Sequence, residues 1–202
     1  MVDTSEHWEA VYGEKAVDSV SWYESEPATS LRLITSLTTP ADRVLDVGAG
    51  ASSLLLHLTR QGYSCLTGLD VSAQALTILR GQFDEGTAPE LVAADITTWD
   101  PPQRYQVWHD RAVFHFMAPG PARSSYLDRM ATGVAAGSHV IIATFASDGP
   151  THCSGLEVQR YDADELATLL APWCDEVARE RTEHVTPWGA VQPFTWVIAR
   201  RR

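Results

Sequence analysis

The chain has 202 residues, of which 45% are hydrophobic and 20% charged, and its formal net charge is −11. A chain of this length suits one domain that buries roughly 70% of its unfolded surface, so it needs no metal or disulfide for stability. The acidity argues against binding through neutralised phosphates, because proteins that bind nucleic acids normally present a basic face. We therefore expect no nucleic-acid partner.

Three cysteines, Cys65, Cys153 and Cys174, are far apart in the sequence and leave one unpaired in any disulfide scheme. A reducing compartment is the simplest setting for such a set. The amino terminus lacks the basic start and apolar run of an export signal, and no apolar stretch approaches the ~18–20 residues of a membrane span. We expect a cytoplasmic protein that does not enter a membrane, and the sequence leaves its oligomeric state open.

Residues 1–39 are predicted to form a helical N-terminal cap. Asp3 or Thr4 is a candidate N-cap for a first helix, and Pro27 opens a second one. Apolar residues recur at helical spacing in both: Trp8, Val11 and Tyr12 in the first, and Leu31, Ile34 and Leu37 in the second. Residues 1–30 also hold seven acids and one base. If this segment closes over a site, its carboxylates favour a neutral or cationic ligand over an anionic one.

Strand and helix signals alternate along residues 40–202. Apolar runs predict five strands, at 43–47, 63–70, 90–95, 105–110 and 139–145. Helical spacing and capping residues predict helices at 52–61, 72–83, 121–135 and 162–173. Runs at 176–185 and 193–200 have no helix between them and form an antiparallel hairpin. The pattern predicts five βα units and this hairpin in one domain, 1–202, with a doubly wound, mostly parallel seven-stranded sheet of the α/β class.

Acidic residues and glycines stand where the predicted strands end. In an open α/β sheet the ligand lies at the carboxyl ends of the strands, near the point where the strand order reverses. The first strand ends in Asp46 and a turn with Gly48 and Gly50, whose missing Cβ atoms let the backbone approach a ligand. Asp70 ends the second strand, where a carboxylate can accept both hydroxyl hydrogens of a ribose. Asp95 ends the third strand.

Two cofactor classes compete for such a site, dinucleotides such as NAD and S-adenosylmethionine. A pyrophosphate favours a third glycine, where this chain has Ser53, and is repelled by a carboxylate at position 46. S-adenosylmethionine has no phosphate, and its ammonium and sulfonium charges suit an acidic strand end. Asp46 therefore favours S-adenosyl-L-methionine, with S-adenosyl-L-homocysteine as the product.

The segments VLDVGAGAS, GLD and AAD, together with the terminal hairpin, resemble the class I (seven-strand) S-adenosylmethionine-dependent methyltransferases over residues 40–200. Ser52 departs from the fullest glycine motif of that family, but serine is also small. The resemblance implies that Asp46, Gly48 and Gly50 surround the methionine part of the cofactor. The other contacts it implies are Asp70 to the ribose hydroxyls, Val71 and Ile96 to the two faces of the adenine, Asp95 to the adenine amino group, and His109 and Asp110 beside the methyl group.

Further segments, HWEAVYG, SWYE, HDRAVFHF and PTHCSGLEVQRYD, resemble a bacterial methyltransferase-like subgroup. Relatives of that subgroup methylate protein lysines or small molecules, so the resemblance does not name the acceptor. No N/D-P-P-Y/F sequence follows the fourth strand, which argues against methylation of the amino groups of bases or of glutamine.

Asp110 and His115 are the candidate catalytic residues, with His152 and Tyr161 as further candidates. A lysine ammonium must lose a proton before it accepts a methyl group, whereas a thiolate or carboxylate needs no general base. Each candidate also has a structural interpretation, since Asp110 could cap a helix and His115 could be a packed histidine.

Trp22 and Tyr23 are expected either to cover the cofactor as a lid, with π-faces toward the sulfonium, or to pack as core aromatics. Asp95 has the alternative of a simple turn cap. His152 and Cys153 are adjacent, but no second pair completes a zinc-like spacing, so we expect no metal site.

The sequence thus predicts an S-adenosylmethionine-dependent methyltransferase with a small-molecule acceptor and in-line methyl transfer. A protein-lysine methyltransferase of the seven-strand type is the main alternative, favoured by an acidic surface that would attract a basic partner. A non-catalytic S-adenosylmethionine-binding domain and a dinucleotide-dependent oxidoreductase are the remaining ones.

Overall fold

The structure is a computed structural model that describes residues 4–202. Its strands are β1 (Val44–Val47), β2 (Leu66–Asp70), β3 (Glu90–Ala93), β4 (Tyr105–Arg111), β5 (Val134–Phe145), β6 (His152–Cys153), β7 (Leu156–Glu157), β8 (Cys174–Val185) and β9 (Val191–Arg201). Seven of them form a central sheet with the order β3-β2-β1-β4-β5-β9-β8. Strands β1 to β5 are parallel, β9 is antiparallel to both of its neighbours, and β6 and β7 form a separate small hairpin.

Six α-helices accompany these strands within residues 4–202. They are α1 (Thr4–Glu14), α2 (Ala28–Leu37), α3 (Leu54–Arg60), α4 (Ala73–Arg80), α5 (Pro121–Gly133) and α6 (Ala163–Leu170). In this part of the chain, no helix combines the length and the apolar character that a membrane crossing requires.

Alternate residues of the central strands face two separate cores, as the pleat of a sheet requires. On one face, Val44 of β1 and Ile141 of β5 pack with the apolar sides of α2, α3 and α4. On the other face, Leu45 and Ile142 pack with α5 and α6. The helices therefore cover both faces, and the carboxyl ends of β1, β2 and β4 lie side by side at one edge of the sheet.

The predicted fold class is confirmed, including the reversed strand and the hairpin at the end of the sheet. The prediction of five βα units was wrong, because residues 94–104, which join β3 to β4, form turns and no helix. Strand β5 also begins at Val134, directly after α5, whereas the sequence suggested a start near residue 139. The β6–β7 hairpin was not predicted.

Several predicted caps can be compared with the structure. Ser72 accepts a hydrogen bond from the backbone N–H of Ala75 at the start of α4. Asp162 and Glu165 form the expected capping box on α6. Of the two candidates for α1, Asp3 lies outside the described residues, and α1 itself begins at Thr4.

Helix α1 is attached to the start of α4 through a side chain that the sequence did not single out. The carboxylate of Glu9 accepts hydrogen bonds from the backbone N–H groups of Ala73 and Gln74, at 2.7 and 3.2 Å. These are free N–H groups of the first helical turn, where the helix dipole also favours a negative charge. Ser5 of α1 donates to the carbonyl of Val71 nearby. The N-terminal cap therefore lies over the end of β2.

Replacing Glu9 with alanine removes this cap on α4. We expect the E9A variant to lose about 0.5–2 kcal/mol of unfolding free energy, the usual cost of deleting an N-cap side chain. Glu6, which is exposed on the same helix, provides the matched control, and E6A should change the unfolding free energy by less than about 0.5 kcal/mol. Urea denaturation followed by circular dichroism measures both, and equal effects of the two variants would contradict the assignment.

Candidate active site

Two adjoining cavities lie where β1, β2 and β4 end, close to the reversal of strand order between β1 and β4. The large cavity has a volume of about 400 Å³ and the small cavity one of about 60 Å³. Four residues line both of them: Tyr12, Trp22, Gly48 and Arg111. Ligands of open α/β sheets bind at this position, so the two cavities form the candidate active site.

The turn after β1 depends on its two glycines. Gly48 has a φ of +69° and Gly50 one of +53°, in the left-handed region that disfavours other residues. A Cβ on Gly48 would clash with the side chain of Val113, and one on Gly50 with the hydroxyl of Tyr12. The backbone N–H of Gly48 donates to the carbonyl of Leu69, which fixes the turn against the end of β2.

Asp46 and His109 lie side by side on β1 and β4 and both line the small cavity. Nδ1 of His109 donates to the Asp46 carboxylate at 2.7 Å, since a carboxylate only accepts. Nε2 of the same ring lies 2.9 Å from the hydroxyl of Ser30 on α2. A neutral imidazole satisfies both contacts, with the serine hydroxyl donating to Nε2. The contacts connect β1, β4 and the N-terminal cap.

Asp70, at the end of β2, lines the large cavity and is 7% exposed. Its two carboxylate oxygens accept one hydrogen bond each, from the N–H groups of Gly50 and Ser72, both at 2.8 Å. Burial nevertheless raises the pKa of Asp70 to about 6, and the charges of Asp46 and Glu9 add to the rise. Each oxygen retains a lone pair for a further donor, so this carboxylate can still bind hydroxyl groups.

Val71, Asp95 and Ile96 also line the large cavity, on its β2–β3 side. Ile96 is buried, whereas Asp95 is exposed. The carboxylate of Asp95 accepts two hydrogen bonds, from the N–H and the hydroxyl of Thr97, both at 2.8 Å. Asp95 therefore caps a turn, as the structural interpretation suggested, while it also faces the cavity.

Aromatic side chains of the N-terminal cap cover both cavities. Trp22 packs edge-on against Trp8 and Tyr12, and Trp8 in turn packs against Phe116, which follows β4. Tyr23 lines the small cavity. Both predicted aromatics, Trp22 and Tyr23, thus border the candidate site.

The structure places Asp110 away from both cavities. This carboxylate is fully buried and accepts three hydrogen bonds, from the hydroxyl of Tyr126 at 2.5 Å and from the N–H groups of Val113 and Phe114. Burial raises the pKa of Asp110 to about 6. Its hydrogen bonds stabilise the turn after β4 and join it to α5, so the helix-cap interpretation describes this placement better than the catalytic one.

His115 is also fully buried, and neither ring nitrogen has a hydrogen-bond partner. The ring packs against Phe116 and Phe145, with centroids 4.5 and 4.8 Å away. Burial, assisted by the charge of Arg111, lowers the pKa of His115 to about 3, so the ring is neutral. It lines neither cavity, which corresponds to the packed histidine rather than to a general base.

Of the further candidates, His152 is exposed on β6, and the Tyr161 hydroxyl accepts a hydrogen bond from Arg123. Neither residue lines a cavity of the candidate site. Within residues 4–202, no group of three or more His, Cys, Asp or Glu side chains is arranged to hold a metal ion.

Residues 44–137 match the model of a family described as a methyltransferase domain. The match covers just under half of the chain. A comparison with curated proteins finds no match.

Solved structures support the fold of this methyltransferase domain. A methyltransferase from Anabaena variabilis, described as dependent on S-adenosylmethionine, is 15% identical with a TM-score of 0.76, over 100% of this chain and 96% of that one. A protein from work on the conversion of a disulfide bond into a thioacetal group during echinomycin biosynthesis is 21% identical with a TM-score of 0.75, over 98% and 93%. The 1,6-didemethyltoxoflavin N1-methyltransferase of Burkholderia thailandensis, solved with bound 1,6-didemethyltoxoflavin and S-adenosylhomocysteine, is 22% identical with a TM-score of 0.68, over 99% of this chain and 84% of that one.

The predicted fold and the predicted enzyme class, a methyltransferase, are thus confirmed. The roles of individual residues remain predictions.

Two features of the candidate site were missed by the sequence reasoning, Arg111 and the β6–β7 hairpin. Arg111 lines both cavities, and Glu24 lies 3.1 Å from its guanidinium. The β6–β7 hairpin supplies Cys153 and Leu156 to the large cavity. A signal for this hairpin was present, because Ser154-Gly155 is a typical two-residue turn and both residues have positive φ.

Replacing Tyr126 with phenylalanine tests the structural role of Asp110. Y126F leaves the Asp110 carboxylate without one donor and the Trp108 N–H without its acceptor, and both groups are buried. We expect a loss of about 1–3 kcal/mol of unfolding free energy. In the control Y161F, the lost hydroxyl makes one partly buried hydrogen bond, so the loss should be about 1 kcal/mol or less. Urea denaturation compares them, and a Y126F loss no larger than that of Y161F would contradict this role.

Proposed function

We propose that the chain transfers the methyl group of S-adenosylmethionine to a small-molecule acceptor bound beside it in the large cavity. The observation that carries the proposal is that the large cavity has two chemically different sides. Polar groups suited to a nucleoside lie on the β2–β3 side, and apolar side chains lie on the β4–β5 side.

The β2–β3 side fits the adenosine part of the cofactor. Asp70 has the acceptor capacity for two ribose hydroxyls, and Val71 and Ile96 offer apolar surface for the adenine. The methionine part would then extend past Gly48 toward the small cavity, where Asp46 and His109 stand. The predicted cofactor residues thus lie along one continuous path.

The β4–β5 side is available to the acceptor. Phe116, Met117 and Leu156 give it an apolar surface, and Arg111, Cys153 and Glu157 are its polar members. Burial raises the pKa of the Cys153 thiol to about 11, so the thiol is protonated at neutral pH. Such walls fit a mainly apolar molecule. The solved toxoflavin methyltransferase, which was crystallised with a small heterocyclic substrate, supports this class of acceptor.

In this proposal the cofactor supplies an activated methyl group on a sulfonium. The chain's own residues hold the acceptor atom, the methyl carbon and the sulfur in line, at ~3–3.5 Å between reacting atoms, and positioning supplies most of the rate. The aromatic cover formed by Trp8, Tyr12 and Trp22 excludes water and places π-electrons near the positive charge.

No general base is required if the acceptor arrives with a free lone pair. Asp110 and His115 do not line either cavity, so we propose that they stabilise the turn after β4 and act on the reaction only by holding it. Trp22 and Tyr23 are proposed as part of the lid, because both border the site.

We also propose that residues 1–202 act as one domain, with a cap at 1–39 and a core at 40–202, in the cytoplasm and without a nucleic-acid partner. The three cysteines are free thiols, which supports a reducing compartment.

Isothermal titration with S-adenosylhomocysteine tests cofactor binding. We expect the wild type to bind it and the D70N variant to bind it about tenfold or more weakly, because an amide is a poorer acceptor for the ribose hydroxyls than a carboxylate. D128N is the matched control, since Asp128 is exposed on α5 and lines neither cavity, and its affinity should equal that of the wild type. Absence of binding to the wild type would overturn the proposal.

Transfer is tested with S-adenosylmethionine radiolabelled in its methyl group, incubated with the enzyme and a cell extract that is then split into protein and small molecules. We expect label in the small-molecule fraction, at a level well above that of D70N. Label confined to the protein fraction would favour protein-lysine methylation instead, and binding without transfer to either fraction would favour a non-catalytic domain.

The raised pKa of Asp70 predicts how cofactor affinity depends on pH. Ribose hydroxyls donate to the ionised carboxylate, so the affinity for S-adenosylhomocysteine should be full above pH 7 and fall as the pH drops through about 6, where Asp70 becomes protonated. The D70N variant should show a much flatter profile between pH 5 and 7. Titrations across this range measure both, and parallel profiles for the two proteins would argue against Asp70 as the titrating ligand.

A further inference from the structure

Arg111 is the one arginine or lysine among the lining residues of the two cavities in the described part of the chain. It ends β4, and its side chain is 12% exposed. Its guanidinium lies over the ring of Phe194, 4.8 Å from the ring centroid. Nη1 donates to the carbonyl of Trp22 at 3.2 Å. The cation is therefore buried, held in place by the sheet and by the N-terminal cap, and directed at the site.

The guanidinium also has an unused donor. Nη2 lies 3.1 Å from the carboxylate of Glu24, but the geometry is not that of a hydrogen bond, and this buried nitrogen has no hydrogen-bond partner. Glu24 itself is shared, because Nδ1 of His184 lies 3.4 Å from the same carboxylate oxygen. A buried charged donor without an acceptor is costly, and a ligand anion at this point would remove that cost.

The charges around the small cavity match the two charges of an α-amino acid. Arg111 is positive, and the carboxylates of Asp46 and Glu24 line the same cavity. The methionine part of S-adenosylmethionine carries one carboxylate and one ammonium. The guanidinium can bind the carboxylate with two parallel donors, and either Asp46 or Glu24 can accept from the ammonium.

We propose that Arg111 binds the carboxylate of the cofactor's methionine part. Through this contact the site would prefer cofactors that retain the carboxylate over decarboxylated ones. This inference rests on the proposed function, because it uses the cofactor position suggested there. Glu24 then keeps His184 as a partner and becomes available to the cofactor's ammonium.

The test compares three ligands by isothermal titration at one pH: S-adenosylhomocysteine, its decarboxylated analogue, and 5′-methylthioadenosine, which lacks the whole amino-acid part. The wild type should bind S-adenosylhomocysteine about ten- to a hundredfold more tightly than the decarboxylated analogue. This comparison needs no variant, so the proposal stays falsifiable whether or not a substitution at Arg111 folds. Equal affinities of the wild type for the two ligands would overturn the proposal.

Variants then assign the preference to the residue. R111M should lose most of the preference for the carboxylate while its affinity for the decarboxylated analogue stays within about twofold of wild type, and R111K should keep part of it. R123M, which alters a partly buried arginine outside both cavities, should behave like the wild type. A loss in R111M that is equal for both ligands would show a merely structural role. An unchanged preference in R111M would assign the carboxylate contact to another residue, and either result overturns the proposal.

The results also separate this proposal from the function on which it rests. If none of the three ligands binds the wild type, the proposed function and this inference fail together. If S-adenosylhomocysteine and 5′-methylthioadenosine bind but the carboxylate makes no difference, the proposed function stands and only the inference about Arg111 fails.

Discussion

The active-site edge of the sheet depends on three buried carboxylates at the ends of neighbouring strands, Asp46 on β1, Asp70 on β2 and Asp110 on β4. A carboxylate taken out of water is costly unless donors surround it. Each of these carboxylates accepts hydrogen bonds, and these bonds fix the position of a segment that follows its strand or packs over it. Asp46 holds His109, and through it Ser30 of α2. Asp70 holds the glycine turn and the start of α4, and Asp110 holds the turn after β4 against α5.

The three carboxylates differ in what they still lack. Asp110 accepts three hydrogen bonds within the protein and borders no cavity, so its role is complete without a ligand. Asp70 accepts two and borders the large cavity, so its carboxylate can still accept from a ligand there. A ligand that donates two hydroxyls would fill this remaining capacity. Unfilled acceptor capacity, rather than burial or a shifted pKa alone, thus distinguishes a binding carboxylate from a structural one.

The parts of the fold and site that could be predicted from the sequence are those that depend on local patterns. The alternation of strands and helices, the glycine turn and the acids at strand ends are local patterns, so the sheet and the positions of Asp46 and Asp70 were predictable. The function of Asp110 depends on Tyr126, sixteen residues away, and that of Arg111 on Glu24 in the N-terminal cap. A local sequence pattern does not identify such distant partners. The sequence therefore did not show that Asp110 supports the turn after β4, or that Arg111 faces the cavities.

Some of the acidic residues of the N-terminal cap attach it to the core. Two of its seven acids connect it to the core, Glu9 through the N-terminus of α4 and Glu24 through Arg111 and His184. Both connections are made at groups that border the proposed cofactor position: α4 starts just after Asp70, and Arg111 lines both cavities. A ligand carboxylate at Arg111 would therefore lie next to the carboxylate of Glu24. An anion bound at Arg111 weakens the hold of Glu24 on the core, while an ammonium beside it restores the balance of charge. In the proposed complex, the contact of the N-terminal cap with the core and the binding of the cofactor's carboxylate would therefore involve the same buried guanidinium.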